Sequence, residues 1–352
     1  FPPLGDDSCK ATHGIVHPCE VFRSTRCCKD VATVRKNEYV NLPVICLVGP
    51  TASGKSGLAV RVCRRLYVDE HPAEIINTDS MVVYRGMDIG TATPTLREQR
   101  TVVHHLVSIL DVTVPSSLVL MQTLARDAVE DCLSRGVIPV LVGGSALYTK
   151  AIIDEMSIPP TDPEVRARWQ EKLDAEGPRV LHDELARRDP KAAESILPGN
   201  GRRIVRALEV IDLTGSFTAT IPDGTLHWPK TVQMGLELSR KDIDQRIADR
   251  VDQMWAYGFV DEVRSLANVG LREGLTASRA LGYRQVLEYL NGDYDEDEAR
   301  RRTIIGTRRF ARKQLMWYRR DDRIEWFNAL APDLDDRVVA RVLTALTTDE
   351  ED

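Results

Sequence analysis

The stretch "VICLVGPTASGKSGL" (residues 44–58) joins a short apolar run to a glycine-rich loop. The run "VICLV" predicts a buried strand, and the residues after the loop predict a helix from about Gly54 to Tyr67. Between them, "GPTASGKS" matches G-x-x-x-x-G-K-[ST] at every fixed position, which are Gly49, Gly54, Lys55 and Ser56. A strand, this loop and a helix in that order are typical of a phosphate-binding loop in an α/β fold.

The chemistry of the loop favours a bound diphosphate. Its glycines let backbone N–H groups face an anion, and the helix N-terminus adds partial positive charge. Lys55 supplies a point charge for phosphate oxygens, and the Ser56 hydroxyl is a candidate Mg²⁺ ligand. The predicted diphosphate-binding residues are Gly49, Pro50, Thr51, Ala52, Ser53, Gly54, Lys55 and Ser56. The loop alone does not choose the reaction, and a nucleotide kinase or a nucleoside triphosphatase is the default interpretation.

The composition is that of an ordinary globular protein. The 352 residues are 43% hydrophobic and 28% charged, and a net charge of −6 argues against bulk nucleic-acid packaging but allows a local basic surface. No apolar run long enough to span a membrane and no signal peptide are visible, so a cytoplasmic protein with reduced thiols is expected. Four of the seven cysteines lie in the first 28 residues, where a zinc site is conceivable.

Hydrophobic periodicity divides the chain into segments. Residues 1–42 lack periodicity and are predicted to be a disordered extension, and residues 348–352 are an acidic tail. Strands are predicted at "VICLV", "EIINT", "HHLVSILDV", "VIPVLVGG" and "TVQMGLELS". Later helices are predicted at 241–257, 259–270, 277–290, 295–320 and 334–347. We therefore predict an α/β fold, with a P-loop-type parallel sheet flanked by helices over 43–155 and 226–347, an all-helical insertion at 156–225 and a helical C-terminal region.

Asp79 follows the second predicted strand, in "IINTDSMVVY". Aspartate at this place is commonly a helix N-cap. The alternative is a general base that faces the phosphate loop, because open parallel sheets bind ligands at their strand ends. The residues alone leave both roles open.

Eight segments occur in order between about residues 44 and 327: "VGPTASGKS", "DSMVVYRGMDIGTATPT", "HHLVSILDV", "VIPVLVGGSALY", "TDPEVRARW", "RRIVRALEV", "TASRALGYRQV" and "GTRRFARKQLMWYRR". Together they resemble the tRNA dimethylallyltransferase family, also called tRNA isopentenyltransferases, over about four fifths of the chain. The bacterial form is the most similar, because no Cys pair follows Cys132 to match the C-terminal zinc finger of some eukaryotic members.

The resemblance implies a reaction. In this family the loop holds the diphosphate of dimethylallyl diphosphate together with Mg²⁺, and N6 of the adenosine 3′-adjacent to the anticodon is the nucleophile. Asp79 would then accept the proton from N6. Ser145 matches a residue that contacts the target nucleotide near the reaction centre, and Arg284 matches an arginine near the donor diphosphate. The implied catalytic residues are Asp79, Ser145 and Arg284.

The resemblance also implies a tRNA-binding surface. The matching residues are Asp79, Ser80, Met81, Val82, Ser145, Arg166, Asn200, Gly201, Arg202, Arg203 and Ile204. Val82 replaces a glutamine that many relatives have, and Leu124 replaces a common aromatic residue. The stretch 300–323 adds ten cations and the aromatic pair Trp317 and Tyr318, which favours a surface that faces RNA.

Other functions stay open on the residues alone. A sister enzyme that prenylates AMP, ADP or ATP shares the loop and Asp79, but the insertion and the basic helix favour a large RNA acceptor. A small-molecule kinase and a non-catalytic nucleotide-dependent RNA-binding module are further alternatives. His104 and His105 resemble a metal-binding pair, but neighbours on a strand face opposite sides, so a metal role is not favoured. A monomer is expected.

Overall fold

The computed structural model describes residues 42–217 and 224–347, which belong to one compact unit. The predictions for the N-terminal extension, its cysteines and the acidic tail concern residues 1–41 and 348–352, which lie outside the described residues. Within the described ranges no helix is both long and apolar enough to cross a membrane.

A parallel sheet of six strands forms the centre, in the order β3-β2-β4-β1-β5-β6. The strands are β1 Val44–Val48, β2 Ala73–Asn77, β3 His104–His105, β4 Ile138–Val142, β5 Thr231–Glu237 and β6 Ile324–Asn328. The helices are α1 Lys55–Val68, α2 Leu96–Thr101, α3 Leu118–Ser134, α4 Ala146–Ile153, α5 Pro163–Glu176, α6 Pro178–Arg188, α7 Pro190–Ser195, α8 Gly201–Thr214, α9 Arg240–Ala256, α10 Phe259–Ala267, α11 Tyr283–Leu290, α12 Glu296–Tyr318 and α13 Leu334–Thr347. The predicted α/β class is confirmed.

The sheet is buried on both faces, and the central strand β1 contributes alternate residues to two hydrophobic cores. Val44, Cys46 and Val48 of β1 face the core that includes α3, α10 and α11. Ile45 and Leu47 face the opposite core, which α1 and α13 complete. A strand covered by helices on both sides is apolar throughout, which is why "VICLV" shows no polar alternation.

Two predicted elements differ from the structure, and one observed strand has no counterpart among the predicted ones. The predicted strand at 104–112 is only His104–His105, because Leu106 (φ 61°) and Ser108 (φ 52°) adopt left-handed backbone conformations that take the chain out of the sheet. The predicted helix at 277–290 is interrupted at Gly282, where φ is 87°. The strand β6 was not predicted, since an edge strand with Glu325 and Asn328 exposed lacks a continuous apolar run.

The predicted insertion contains α5 to α8 and has a hydrophobic cluster of its own, which includes Leu181, Leu185, Ile204 and Leu208. The predicted breaks at Gly177-Pro178, at Pro190 and in "PGNG" coincide with the starts of α6, α7 and α8. Proline at the first position of a helix is favourable because its missing N–H has no partner there. The exact division into core and insertion stays a prediction, since the described residues belong to one compact unit.

Candidate active site

The phosphate loop joins β1 to α1 at the carboxyl end of the sheet. Gly49 has φ 139°, and a Cβ there would lie 2.7 Å from the Leu236 carbonyl oxygen of β5, so only glycine fits without a shift. Gly54 precedes α1, and Lys55 is the first residue of that helix. Ser53 is buried, and its hydroxyl has no hydrogen-bond partner. The loop therefore has the close backbone packing that its motif predicts.

Lys55 is 9% exposed, and its Nζ donates a hydrogen bond of 2.7 Å to the Pro50 carbonyl oxygen inside the loop. Burial lowers the pKa of Lys55 to about 7; the negative charge of Asp79 opposes this shift and the positive charge of Arg250 adds to it. A bound anion would favour the ammonium form. Lys55 is thus positioned to bind an anion and lies close enough to Asp79 to sense its charge.

Asp79 lies in a turn immediately after β2 and is half-buried. Its Oδ1 accepts a hydrogen bond of 2.8 Å from the Met81 backbone N–H. No helix begins near it within the described residues, since α2 starts only at Leu96. The N-cap alternative is therefore wrong. The carboxylate caps a turn that holds it at the strand ends, where the general-base alternative requires it.

Gln314 of α12 connects the phosphate loop to the turn after β4. Its Oε1 accepts a hydrogen bond of 2.8 Å from the Thr51 N–H, and its Nε2 donates one of 2.7 Å to the Gly144 carbonyl oxygen. A Cβ at Gly144 would lie 2.4 Å from Gln314 Nε2, so the side chain fits only against glycine. Gln314 was not predicted from the sequence, because its partner Thr51 is 263 positions away.

Arg250 of α9 was also missed. Its guanidinium donates to the Thr91 carbonyl oxygen at 3.0 Å and to Thr51 Oγ1 at 3.4 Å. Burial lowers the pKa of Arg250, while Asp79 raises it. The sequence did contain a signal for this residue. Arg250 lies in the helical stripe that contains the buried residues Ile243, Ile247 and Met254, where helical periodicity predicts an apolar side chain.

These groups surround one cavity of about 520 Å³, within the size range of small-molecule sites. Its polar lining comes from the phosphate loop, from the end of β2 and from α9 and α12. The lining residues with functional groups are Thr51, Lys55, Ser56, Asn77, Asp79, Thr91, His104, Arg246, Asp249, Arg250, Gln253 and Gln314. Of the residues predicted from the sequence, the cavity wall contains Thr51, Ala52, Gly54, Lys55, Ser56, Asp79 and Val82.

Two residues implied to be catalytic do not line this cavity. Ser145 is the N-cap of α4, but its side chain makes no capping hydrogen bond. Arg284 lies on α11 with its side chain 58% exposed, and its Nε is 3.6 Å from Glu288. Arg284 therefore does not reach the phosphate loop, and Arg250 and Arg246 are the arginines that do.

The residues of the insertion that are implied to bind tRNA differ in their exposure to solvent. Arg202 and Arg203 are exposed on α8, whereas Ile204 is fully buried in the cluster of the insertion and offers no side-chain contact. Asn200 caps α8 by accepting a hydrogen bond from the Arg203 N–H at 3.3 Å. Gly201 lies beneath α5, because a Cβ there would be 2.8 Å from the Leu173 side chain.

Arg166 has a structural contact that its sequence motif did not predict. Its Nε and Nη2 lie 3.0 Å and 2.8 Å from Oε2 of Glu209, which is fully buried. Arg206 binds the same oxygen at 2.9 Å. Because a buried carboxylate is costly unless it is paired, Arg166 is neither a simple solvated residue nor wholly available to RNA.

The basic stretch 300–323 forms most of α12 and the turn after it. Many of its cations contact acidic groups or backbone oxygens of this chain, namely Arg300, Arg301, Arg302, Arg308, Arg312, Arg319 and Arg323. Arg309, Lys313 and Arg320 are exposed, and Trp317 is 44% exposed under the Arg320 guanidinium. Tyr318 is buried and cannot stack on a base. Seven of the ten cations therefore already contact groups of this chain.

Comparison with known proteins places this chain in one family. The family model described as IPP transferase matches residues 82–321. The chain is 54% identical over 300 residues to a tRNA dimethylallyltransferase of Thermobifida fusca, covering 85% of this chain and 94% of that protein. It is 55% identical over 292 residues to one from Kineococcus radiotolerans, covering 82% and 92%.

A solved structure supports the same family as these sequence relatives. The full-length tRNA isopentenylpyrophosphate transferase of Bacillus halodurans shares 36% identity with a TM-score of 0.63, and the match covers 86% of this chain and 96% of that one. The family predicted from the sequence is confirmed. The chain belongs to the tRNA dimethylallyltransferase family of IPP transferases.

Proposed function

We propose that this chain transfers a dimethylallyl group from dimethylallyl diphosphate to N6 of the adenosine that is 3′-adjacent to the anticodon of tRNA. The observation that carries the proposal is a single cavity that contains both Lys55 of the phosphate loop and the Asp79 carboxylate. The donor carbon–oxygen bond breaks, a carbon–N6 bond forms, diphosphate leaves and N6 loses a proton. An anion site and a proton acceptor are the two groups that this reaction needs.

The donor diphosphate would bind at the loop. Leaving-group charge develops on its oxygens, and Lys55, Arg250 and the first residues of α1 line the cavity. Arg250 is held by its hydrogen bonds to Thr91 and Thr51, so little reorganisation is needed when the donor binds.

Magnesium fits the same end of the cavity. Mg²⁺ prefers oxygen ligands and is usually bound through one or two protein groups plus substrate phosphates. Ser56 offers its hydroxyl oxygen at the cavity wall, beside Lys55. When bound, the ion would supply further neutralisation of the diphosphate charge.

Asp79 would accept the proton from N6. The Met81 N–H holds its Oδ1, and Asn77 holds its backbone, so in our proposal the second carboxylate oxygen receives the proton. General-base catalysis of this kind contributes about 10²–10⁴ in rate. The apolar side chains of Val82, Val107 and Val142 in the cavity wall offer a surface for the dimethylallyl group.

The tRNA would lie across α8 of the insertion and the exposed part of α12. Arg202 and Arg203 supply charge on α8, and Arg309, Lys313 and Trp317 supply charge and a stacking surface on α12. The target adenosine must leave its stack to reach Asp79, which costs a few kcal/mol that contacts to the anticodon arm must offset.

Radiolabelled dimethylallyl diphosphate offered with tRNA or with AMP tests the proposal. We expect label in tRNA only. Label in AMP with none in tRNA would instead identify an adenylate isopentenyltransferase, and phosphate transfer from ATP without transfer of the prenyl group would identify a kinase. Binding of tRNA without any transfer would leave a non-catalytic RNA-binding module.

A further inference from the structure

A cluster of Glu74, His105 and Cys132 lies near the edge of the sheet, apart from the residues that line the cavity. Glu74 Oε2 is 2.7 Å from His105 Nε2 and 3.5 Å from Cys132 Sγ, and Sγ is 3.9 Å from Nε2. Within residues 42–217 and 224–347, this is the one group of three His, Cys, Asp or Glu side chains whose ligand atoms all lie within 4.8 Å of one another.

Three different elements bring these side chains together. Glu74 is on β2, His105 is on the edge strand β3, and Cys132 is near the end of α3, which packs beside β2. Neighbours on a strand point to opposite sides, so His105 faces the cluster while His104 faces the cavity. The sequence predicts that the two histidines face opposite sides, and they do not act as a pair. His105 instead lies beside a carboxylate and a thiol.

The distances between the three ligand atoms fit a tetrahedral zinc ion. Bond lengths of about 2.3 Å to sulfur and about 2.0–2.2 Å to nitrogen and oxygen place sulfur about 3.5 Å from either light atom, and nitrogen about 3.3 Å from oxygen. The two distances to Sγ, 3.5 Å and 3.9 Å, are close to these values. The hydrogen-bonded pair of Glu74 and His105, at 2.7 Å, must separate by about 0.6 Å to reach this spacing.

We propose that Glu74, His105 and Cys132 form a binding site for Zn²⁺ that is separate from the catalytic cavity. A thiolate, an imidazole and a carboxylate are a ligand set that zinc accepts and that Mg²⁺ and Ca²⁺ do not favour. The thiol proton passes to solvent when the metal binds. The fourth position is taken by water, since the His105 side chain is 24% exposed and gives access from the surface.

Arg135 is the cation that faces the cluster. Its Nη1 donates to Glu74 Oε1 at 2.8 Å and its Nη2 to Oε2 at 2.7 Å, while its Nε donates to Asp131 at 3.0 Å. Nη2 also lies 3.6 Å from Cys132 Sγ, so zinc would displace Nη2 from Oε2 and Sγ. Nη1 would keep Oε1 and so orient the carboxylate, as the hydrogen-bond partners of metal ligands commonly do. The negative charge of Asp131 balances the positive charge of Arg135. The Glu74 carboxylate and the Cys132 thiolate balance the two positive charges of Zn²⁺.

The site has a consequence for the catalytic cavity. β3 contains only two residues and pairs with a single neighbour, β2, so it is weakly held. A metal that joins His105 to α3 would fix this strand, and with it His104 and Val107 in the cavity wall. Zinc is therefore expected to stabilise the folded chain.

Cobalt titration of the chelator-treated full-length chain tests the proposal, because a thiolate ligand of Co²⁺ gives a near-ultraviolet charge-transfer band. The N-terminal thiols are removed first by Cys9→Ser, Cys19→Ser, Cys27→Ser and Cys28→Ser. In this background we expect one Co²⁺ per chain, displaced by Zn²⁺. The band should disappear with Cys132→Ala and with His105→Ala, and it should persist with the control Cys46→Ala, which removes another buried thiol.

A second measurement does not depend on any variant of the cluster. Zinc should raise the midpoint of thermal unfolding of the same background chain, and the rise should grow with the logarithm of free zinc above the dissociation constant. The absence of a charge-transfer band and of a thermal shift would overturn the proposal. So would a band that survives Cys132→Ala, and the cluster would then be only an ion-pair network.

Discussion

The side-chain amide of Asn77 holds the backbone of Asp79 at both ends. Asn77 Oδ1 accepts a hydrogen bond of 2.9 Å from the Asp79 N–H, and Asn77 Nδ2 donates one of 3.0 Å to the Asp79 carbonyl oxygen. The same Nδ2 donates to the Leu106 carbonyl oxygen at 3.0 Å. Asn77 is 7% exposed, so this arrangement is largely shielded from water and positions the candidate base at the end of β2.

Asn77→Ala should slow the transfer step about 10- to 100-fold, because small misplacement of a catalytic group is costly. Donor affinity should change little, since Lys55 and Arg250 are unaltered. Single-turnover rates at saturating donor and tRNA measure the effect. Asn77→Asp keeps the hydrogen-bond acceptor and loses the donor, so its single-turnover rate should lie between those of the wild type and of Asn77→Ala. An unchanged rate in Asn77→Ala would show that Asp79 does not depend on Asn77 for its position.

Asp79→Asn should abolish transfer while leaving donor binding nearly unchanged. The amide keeps an oxygen for the Met81 N–H but cannot accept a proton from N6, so a loss of at least about 10² in the chemical step is expected. Asp79→Ala should lose at least as much. Rapid-quench measurement of the prenylated product checks this. A variant within a few-fold of wild type would leave Asp79 as a turn-capping residue only.

Donor affinity should decrease as the pH rises above 7. The pKa of Lys55 in the unliganded chain is lowered to about 7, so above that pH the amine is mostly neutral and must gain a proton to bind the diphosphate. The dissociation constant should then rise by up to about tenfold per pH unit. Calorimetric titration of the chain with the donor at a series of pH values measures this dissociation constant. The control is Lys55→Arg, because the charge of arginine does not titrate in this range. The same slope in Lys55→Arg would exclude Lys55 as its source.

Arg166→Met should destabilise the chain as well as any complex with tRNA. Glu209 is fully buried, and the loss of two hydrogen bonds from Arg166 leaves it with Arg206 and the Asp162 N–H. A cost of about 1–3 kcal/mol in the free energy of unfolding is expected from denaturant titration. Arg168→Met, on the same helix with a side chain 70% exposed, should cost far less. Equal stability of both variants would remove the structural role of Arg166.

Arg202→Ala combined with Arg203→Ala should weaken tRNA binding and leave donor binding unchanged. Affinity that rests on phosphate contacts falls steeply with salt, and each lost contact should flatten the salt slope by about one unit. Filter retention across a salt series measures this, with the apparent Michaelis constant for tRNA as a second readout. Equal slopes for wild type and the double variant would place the anticodon arm elsewhere.

The sequence by itself determined the α/β class, the order of most elements, the phosphate loop and the family. These are local properties: the apolar run of β1, the loop spacing and the proline and glycine breaks before α6, α7 and α8 depend on neighbours along the chain. The place of Asp79 at a strand end was predicted, but its role as a cap or a base was not, because both roles have the same local sequence.

Only the tertiary structure decided which distant side chains share the cavity. Arg250 reaches Thr51 across 199 positions and Gln314 reaches it across 263, whereas Arg284 faces solvent beside Glu288. Ile204 and Tyr318 are buried although their motifs suggested contact with RNA. Glu74, His105 and Cys132 meet for the same reason. Contacts of this kind depend on how helices and strands pack against one another, and residues far apart in the chain carry no local pattern that records their distance in space.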